Sequence, residues 1–225
     1  MRRTPTVVVK TTPIALTAVA VLSATALTGC ADRLEPPTPE NYSNTFQLAE
    51  WSTQEGAIRS IPPRSLQAYA YASVTMSESG CDVGWQTLAA IGYVASNHGF
   101  IAGATVDNDG TTSRKLRDLK FVGNEAVADT DEGMLDGDPT MDVGMGPMQI
   151  KATAWEKFGE SAQPDTVPSP DNIDDASLAI ARQLCAKGSL NTPAAWDNGM
   201  KLVNPNPDFI KAVHAKAHEY SKSAG

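Results

Sequence analysis

The sequence predicts a mainly α-helical domain with few or no strands, and three observations carry that prediction. Apolar residues recur at i, i+3, i+4 and i+7 spacing in several separate segments. No segment alternates apolar and polar residues cleanly over five positions, so strand signals are weak. One long acidic, glycine-bearing stretch, residues 107–142, lacks either period, and a loop of that length inside a compact domain is usually functional. The composition agrees: 225 residues, 41% hydrophobic and 20% charged, make one globular domain rather than a disordered chain.

The elements follow in order. Residues 58–61 lead into Pro62-Pro63, and proline opens helices because its missing N–H has no helical partner in the first turn. Leu66, Tyr69, Ala70, Ser73 and Met76 then share one face, and Gly80 ends that helix. Trp85, Leu88, Ala89, Gly92 and Ala95 define a second helix, ended by Gly99. Residues 153–158 form a short third helix. Residues 174–187 form a fourth, with Ile173, Ser177, Ile180 and Leu184 aligned, and residues 208–221 a fifth, marked by Phe209, Ile210, Val213, Ala217 and Tyr220. No internal repeat is present.

The N-terminus reads as a targeting segment. Arg2, Arg3 and Lys10 precede an uncharged, mostly apolar stretch, residues 14–27, too short to span a bilayer. It ends in Leu27-Thr28-Gly29-Cys30, which resembles the lipobox of bacterial lipoproteins. The resemblance implies that residues 1–29 are a signal peptide and that Cys30 carries the lipid. The protein is then exported and anchored to the outer face of the cytoplasmic membrane. Residues 30–57 are expected to be a lipidated tether, since residues 31–44 are polar, Pro-rich and without helical period, leaving 58–225 as the domain. The net charge of −8 excludes nucleic acid as a partner, because phosphate backbones are bound by clustered Lys and Arg.

Cys81 and Cys185 remain as an even pair in an exported, oxidising setting, where a disulfide is the expected state. Two isolated cysteines with no nearby histidine lack the spacing of a metal site.

Four segments in order resemble the membrane-bound B-type lytic murein transglycosylases, which share a goose-lysozyme-like fold. They are Ile61-Pro-Pro-Arg-Ser-Leu-Gln-Ala-Tyr69, the run from Cys81 through Trp85 to Gly99, Asp129-Thr-Asp-Glu-Gly-Met-Leu-Asp-Gly-Asp138 with Gly144-Met-Gly-Pro-Met-Gln-Ile150, and Asn172 to Cys185 followed by Asn204 to Phe209. The resemblance implies a lysozyme-like transglycosylase domain acting on the glycan strands of peptidoglycan, with no cofactor. In that family one glutamic acid protonates the glycosidic oxygen between N-acetylmuramic acid and N-acetylglucosamine. It then accepts a proton from the sugar's own 6-hydroxyl to close a 1,6-anhydro ring. Such an acid has to be protonated at neutral pH, which burial achieves.

This chain departs from the pattern where the chemistry sits. The family's Gly-Arg-Val-Glu-Ser reads Gly92-Tyr93-Val94-Ala95-Ser96, so Ala95 fills the acid position, and a methyl group neither donates nor accepts a proton. The family's Tyr-Asn before the last helix reads Val203-Asn204. Residues 160–171, where some members bind calcium, place Ala162, Pro164 and Asp165 where an EF-hand loop wants carboxylates and glycine, so no metal is expected there. The matching groove residues are Met148, Gln149 and Asn204, and amides suit sugars because they both donate and accept hydrogen bonds.

Two functions are compatible with this pattern. One is a lipoprotein that binds glycan strands without cutting them, which can also act through a cell-wall protein partner. The other is an active transglycosylase in which Asp107, Asp109 or Glu132, in the loop expected over the cleft, replaces the lost acid. The remaining polar features have plainer explanations. His98 reads as a helix C-terminal cap interacting with the helix dipole. His214 and His218, at i and i+4, lack a third metal ligand and read as surface residues. Trp51, Trp155 and Trp196 read as core, and the acids of 129–142 as a turn network.

Overall fold

The computed structural model describes Pro36 and residues 46–222; the signal segment, Cys30 and the remainder of the Pro-rich tether up to residue 45 lie outside the described residues. Seven helices follow in order: α1 (Phe46–Arg59), α2 (Pro63–Glu78), α3 (Trp85–Ser96), α4 (Ala152–Phe158), α5 (Ile173–Leu184), α6 (Pro193–Val203) and α7 (Pro207–Tyr220). A small antiparallel pair, β1 (Val127–Ala128) and β2 (Met141–Asp142), sets Val127 opposite Asp142. The domain is mainly helical, and none of the described helices is long and apolar enough to cross a membrane.

α2 is central and packs on α1, α3 and α5, while α3 packs on α7. The periodic residues explain this: Leu66, Tyr69, Leu88, Ile173, Ile180 and Leu184 are all buried in one core with Val213 and Phe209. Asn172 caps α5 by accepting from the Asp174 N–H at 2.9 Å, and Asp174 and Asp175 complement the positive end of the helix. The helix ends at Leu184, and the predicted last turn tightens into a 3-10 turn, Cys185–Lys187. There Cys185 joins Cys81 in a disulfide with Cα atoms 6.1 Å apart, closing a loop of sequence separation 104. The bridge ties the approach to α3 to the end of α5. In the chain-entropy model it contributes about 4–5 kcal/mol.

Two helices are additional to those predicted. α1 overturns the expected tether boundary: residues 46–57 belong to the domain, with Leu48 fully buried and Trp51 meeting Trp85 edge-to-face at 5.5 Å. Its buried face also carries Ser52, Glu55 and Gly56, which obscures the apolar period. Gly56 is required, because a Cβ there would stand 2.5 Å from the Ile61 carbonyl oxygen. α6 starts on a Thr192 cap whose hydroxyl accepts from the Ala195 N–H at 3.1 Å, and its buried residues are Gly199 and Met200.

Candidate functional site

A cavity of about 220 Å³ opens where the ends of several elements meet: Ile91 of α3, Ile180 and Gln183 of α5, Val203 of α6 and Phe209 of α7. Met148, Gln149 and Asn204, the three groove residues expected from sequence, all line it. The 146–150 turn is shaped by local strain and long-range bonds. Met145 and Ile150 exchange both backbone hydrogen bonds, at 2.9 and 3.0 Å, so the four residues between them make a tight loop. Gly146 adopts φ +65, and a Cβ there would lie 1.7 Å from the Pro170 carbonyl oxygen, so only glycine fits. The Ser96 hydroxyl, at the end of α3, donates to the Pro147 carbonyl at 2.5 Å and joins the helix end to this turn.

The amides are engaged within the chain. Gln149 Oε1 accepts from the Leu119 N–H at 2.8 Å, and its Nε2 donates to the Gly146 carbonyl at 2.9 Å. Asn204 Nδ2 donates to the Gly123 carbonyl at 2.8 Å while its Oδ1 accepts from the Asn206 N–H at 2.9 Å. Both therefore hang the 116–124 loop over the cavity, and Met148, 3% exposed, supplies apolar wall. Asn124 and Lys151 are polar lining residues that were not singled out from sequence. Asn124 Oδ1 accepts from Lys151 Nζ at 3.2 Å, and Lys151 is the single ionisable residue among those lining the cavity. Burial lowers the pKa of Lys151, and Asp118, Asp142, Asp136 and Glu125 pull it back up. A lysine directly following an apolar turn was the available sequence sign.

The carboxylates proposed as substitutes do not line this cavity. Asp107 and Asp109 are exposed and sit against the first turns of α2 and α5. There Arg64 pairs with both Asp174 oxygens and donates to the Asn108 carbonyl at 3.0 Å, and Asn172 donates to the Asp109 carbonyl at 2.9 Å. The cavity draws on α5 some two turns further along, roughly 10 Å away. Glu132 is exposed, at φ 56, in the acidic loop. The Arg64 clamp and the loop's own turns hold these three carboxylates outside this cavity. Ala95 is 2% exposed and does not line the cavity, although Ile91, one turn earlier on α3, does.

His98 also differs from expectation. Asn97, at φ 49, is the left-handed cap of α3, and His98, at φ 62, turns inward to 1% exposure. Its Nδ1 lies 3.2 Å from the Tyr69 hydroxyl and its Nε2 3.1 Å from the Tyr220 hydroxyl. Burial, helped by Lys216, lowers its pKa to about 3, so it is a neutral imidazole and offers no charge to the helix dipole. Gly92 makes the room: a Cβ there would stand 2.1 Å from the Tyr69 hydroxyl oxygen.

The acids of 129–142 form a turn network. Asp131 accepts from the Gly133 and Leu135 N–H groups, Asp136 from those of Asp138 and Val143, and Asp142 from the Thr130 N–H and hydroxyl. Asp129, Asp131 and Asp142 bring carboxylate oxygens within 4.8 Å of one another, the spacing a shared cation would need. In the 160–171 segment two acids are engaged by the chain: Glu160 pairs with Arg182, and Asp171 takes both Arg117 nitrogens at 2.5 and 3.0 Å. All three tryptophans pack on the core, Trp155 buried and Trp51 and Trp196 half-buried, and Trp196 also lines a second, larger groove with His214 and His218. No protein-family model, curated protein or solved structure matches this chain.

Proposed function

We propose that this chain is a cell-envelope lipoprotein with a lysozyme-like, lytic-transglycosylase-type domain that holds peptidoglycan glycan strands and is catalytically impaired. The observation that carries this reading is the lining of the cavity: apolar and amide side chains, with Lys151 as its one ionisable group. Glycoside cleavage needs a carboxylic acid at hydrogen-bond distance from the leaving oxygen, because an unprotonated alkoxide is a poor leaving group. A methyl group at Ala95 and exposed positions for Asp107, Asp109 and Glu132 supply none there. Lys151 is held by Asn124 and by the Asp142 carbonyl at 3.5 Å, in keeping with a positioning group rather than a proton donor. Groups that bind a strand without stabilising its transition state give affinity without rate.

The test is incubation with purified sacculi, followed by pelleting and by analysis for 1,6-anhydro products. Wild type is expected to pellet and to release none. Release by wild type would overturn the impaired reading, and failure to pellet would overturn binding. Cys30→Ser should free the protein from membranes if Cys30 carries the lipid.

A further inference from the structure

A groove of about 790 Å³ runs between α6 and α7, on the far side of their corner from the first cavity. Lys201, Pro205 and Ile210 face it, whereas Val203, Asn204 and Phe209 face the first cavity. Its floor is apolar, with Trp196 meeting the His214 ring edge-on at 5.6 Å. The Trp196 indole N–H is satisfied by the Thr87 hydroxyl at 3.0 Å, so the groove fixes this ring while leaving it half-buried. Lys201, Lys211, His214 and His218 line it against one acid, Asp197, which pairs with Lys201. With Asp197 and Lys201 paired, Lys211 leaves this apolar depression a net positive charge in a chain of net charge −8.

The acidic loop carries the opposite shape and sign. Met134 is 79% exposed, flanked by the exposed Glu132 and by Asp138, whose carboxylate is held charged by the Thr140 hydroxyl and N–H. The turn bonds of Asp129, Asp131 and Asp136 hold the loop around this side chain, so presenting it takes little further ordering. Methionine is a flexible, polarisable side chain suited to filling an irregular depression. No residue of 129–142 lines the α6–α7 groove of its own chain.

We propose that the Met134 loop of one molecule docks into the α6–α7 groove of a second copy, a head-to-tail contact independent of the glycan-binding reading. The thioether would lie against Trp196, with Glu132 and Asp138 facing Lys201 and Lys211. The two surfaces differ, so the contact is heterologous and extends into chains rather than closing as a two-fold dimer.

Sedimentation velocity on the chain carrying Cys30→Ser, from about 10 μM to about 500 μM, tests this directly. Mass should rise with concentration, and added salt should weaken the association because its rim is ionic. Met134→Lys and Lys211→Glu should each lower the association constant about tenfold or more. Both positions lie on the surface, so the fold should survive, and circular dichroism checks it. Mixing Met134→Lys with Lys211→Glu should restore a single contact, between the intact loop of one and the intact groove of the other, and stop at a 1:1 dimer. A monomer throughout the concentration range, assembly unaffected by either variant, a closed two-fold dimer, or a mixture that stays monomeric would each overturn the proposal.

Discussion

Between α2, α3, α5 and α7 the contacts are side chain on side chain: Leu66, Leu88, Ile173, Ile180 and Val213 are buried together, and a disulfide spans the group. Residues 100–150 bury far less apolar surface, with Leu116, Val143 and the 145–150 turn as the main examples. Their shape comes instead from carboxylates and amides bonded to backbone N–H and carbonyl groups, as at Asp131, Asp136, Asp142 and Gln149. The difference has a consequence for function. The packed half positions α3 and α5 from behind, and the bonded half places loops over the cavity, so small polar changes should alter the site without unfolding the domain.

The largest effect expected is on the packed half. Replacing Cys81 and Cys185 together with Ser should lower the unfolding free energy by about 4 kcal/mol, read by urea denaturation, because the closed loop is long. Under denaturing, non-reducing conditions neither thiol of the wild-type pair should react with a maleimide. Two labelled thiols would break the picture of a covalently tied core.

The second effect depends on pH. His98 has a folded pKa of about 3, below the ordinary unfolded value, so the unfolded chain binds a proton that the folded chain refuses. Its contribution is therefore fully present above about pH 6.5 and is lost as pH falls toward 3. Between about pH 7.5 and 5, above the main carboxylate range, stability should fall by about 2 kcal/mol. His98→Gln should flatten that slope. An unchanged slope would show that the imidazole is not the titrating group.

Gly92→Ala should cost about 1–3 kcal/mol, since the new methyl collides with the Tyr69 hydroxyl and drives it off His98. Tyr69→Phe combined with Gly92→Ala should cost less than the two separate losses added together, because the closest contact, the hydroxyl at 2.1 Å, is removed and only the ring carbon Cζ at 2.7 Å has to shift; simple additivity would refute the steric account.

The smallest global effect belongs to the bonded half. Asp142→Asn weakens the hold on Thr130 and should cost about 1 kcal/mol, with amide exchange accelerated in 129–142 and unchanged in α2 and α5. Midpoint temperatures in EDTA and in millimolar calcium should agree. An upward shift with calcium that Asp142→Asn abolishes would place a cation on Asp129, Asp131 and Asp142.

The periodic runs of α2, α3, α5 and α7 were readable because amphipathic spacing belongs to the contiguous chain and needs no knowledge of the partner. The cysteine pair was readable from parity and from the exported, oxidising setting that the N-terminal segment leads one to expect. Three residues picked out in the sequence, Met148, Gln149 and Asn204, lie together in one cavity, but their engagement was not legible. The Gln149 amide bonds Leu119, thirty positions away, and no local pattern reports such a partner. α1 and α6 escaped because their buried faces hold the polar Ser52 and Glu55, the latter paired with Arg59, and the closely approached Gly56 and Gly199, which interrupt the apolar period. The tertiary structure alone decided that His98 turns inward between hydroxyls 29 and 122 positions away. It likewise decided that Arg64 pins Asn108, and with it Asp107 and Asp109, away from the cavity. Those outcomes depend on which distant groups a loop brings together, and short-range propensity carries no record of that closure.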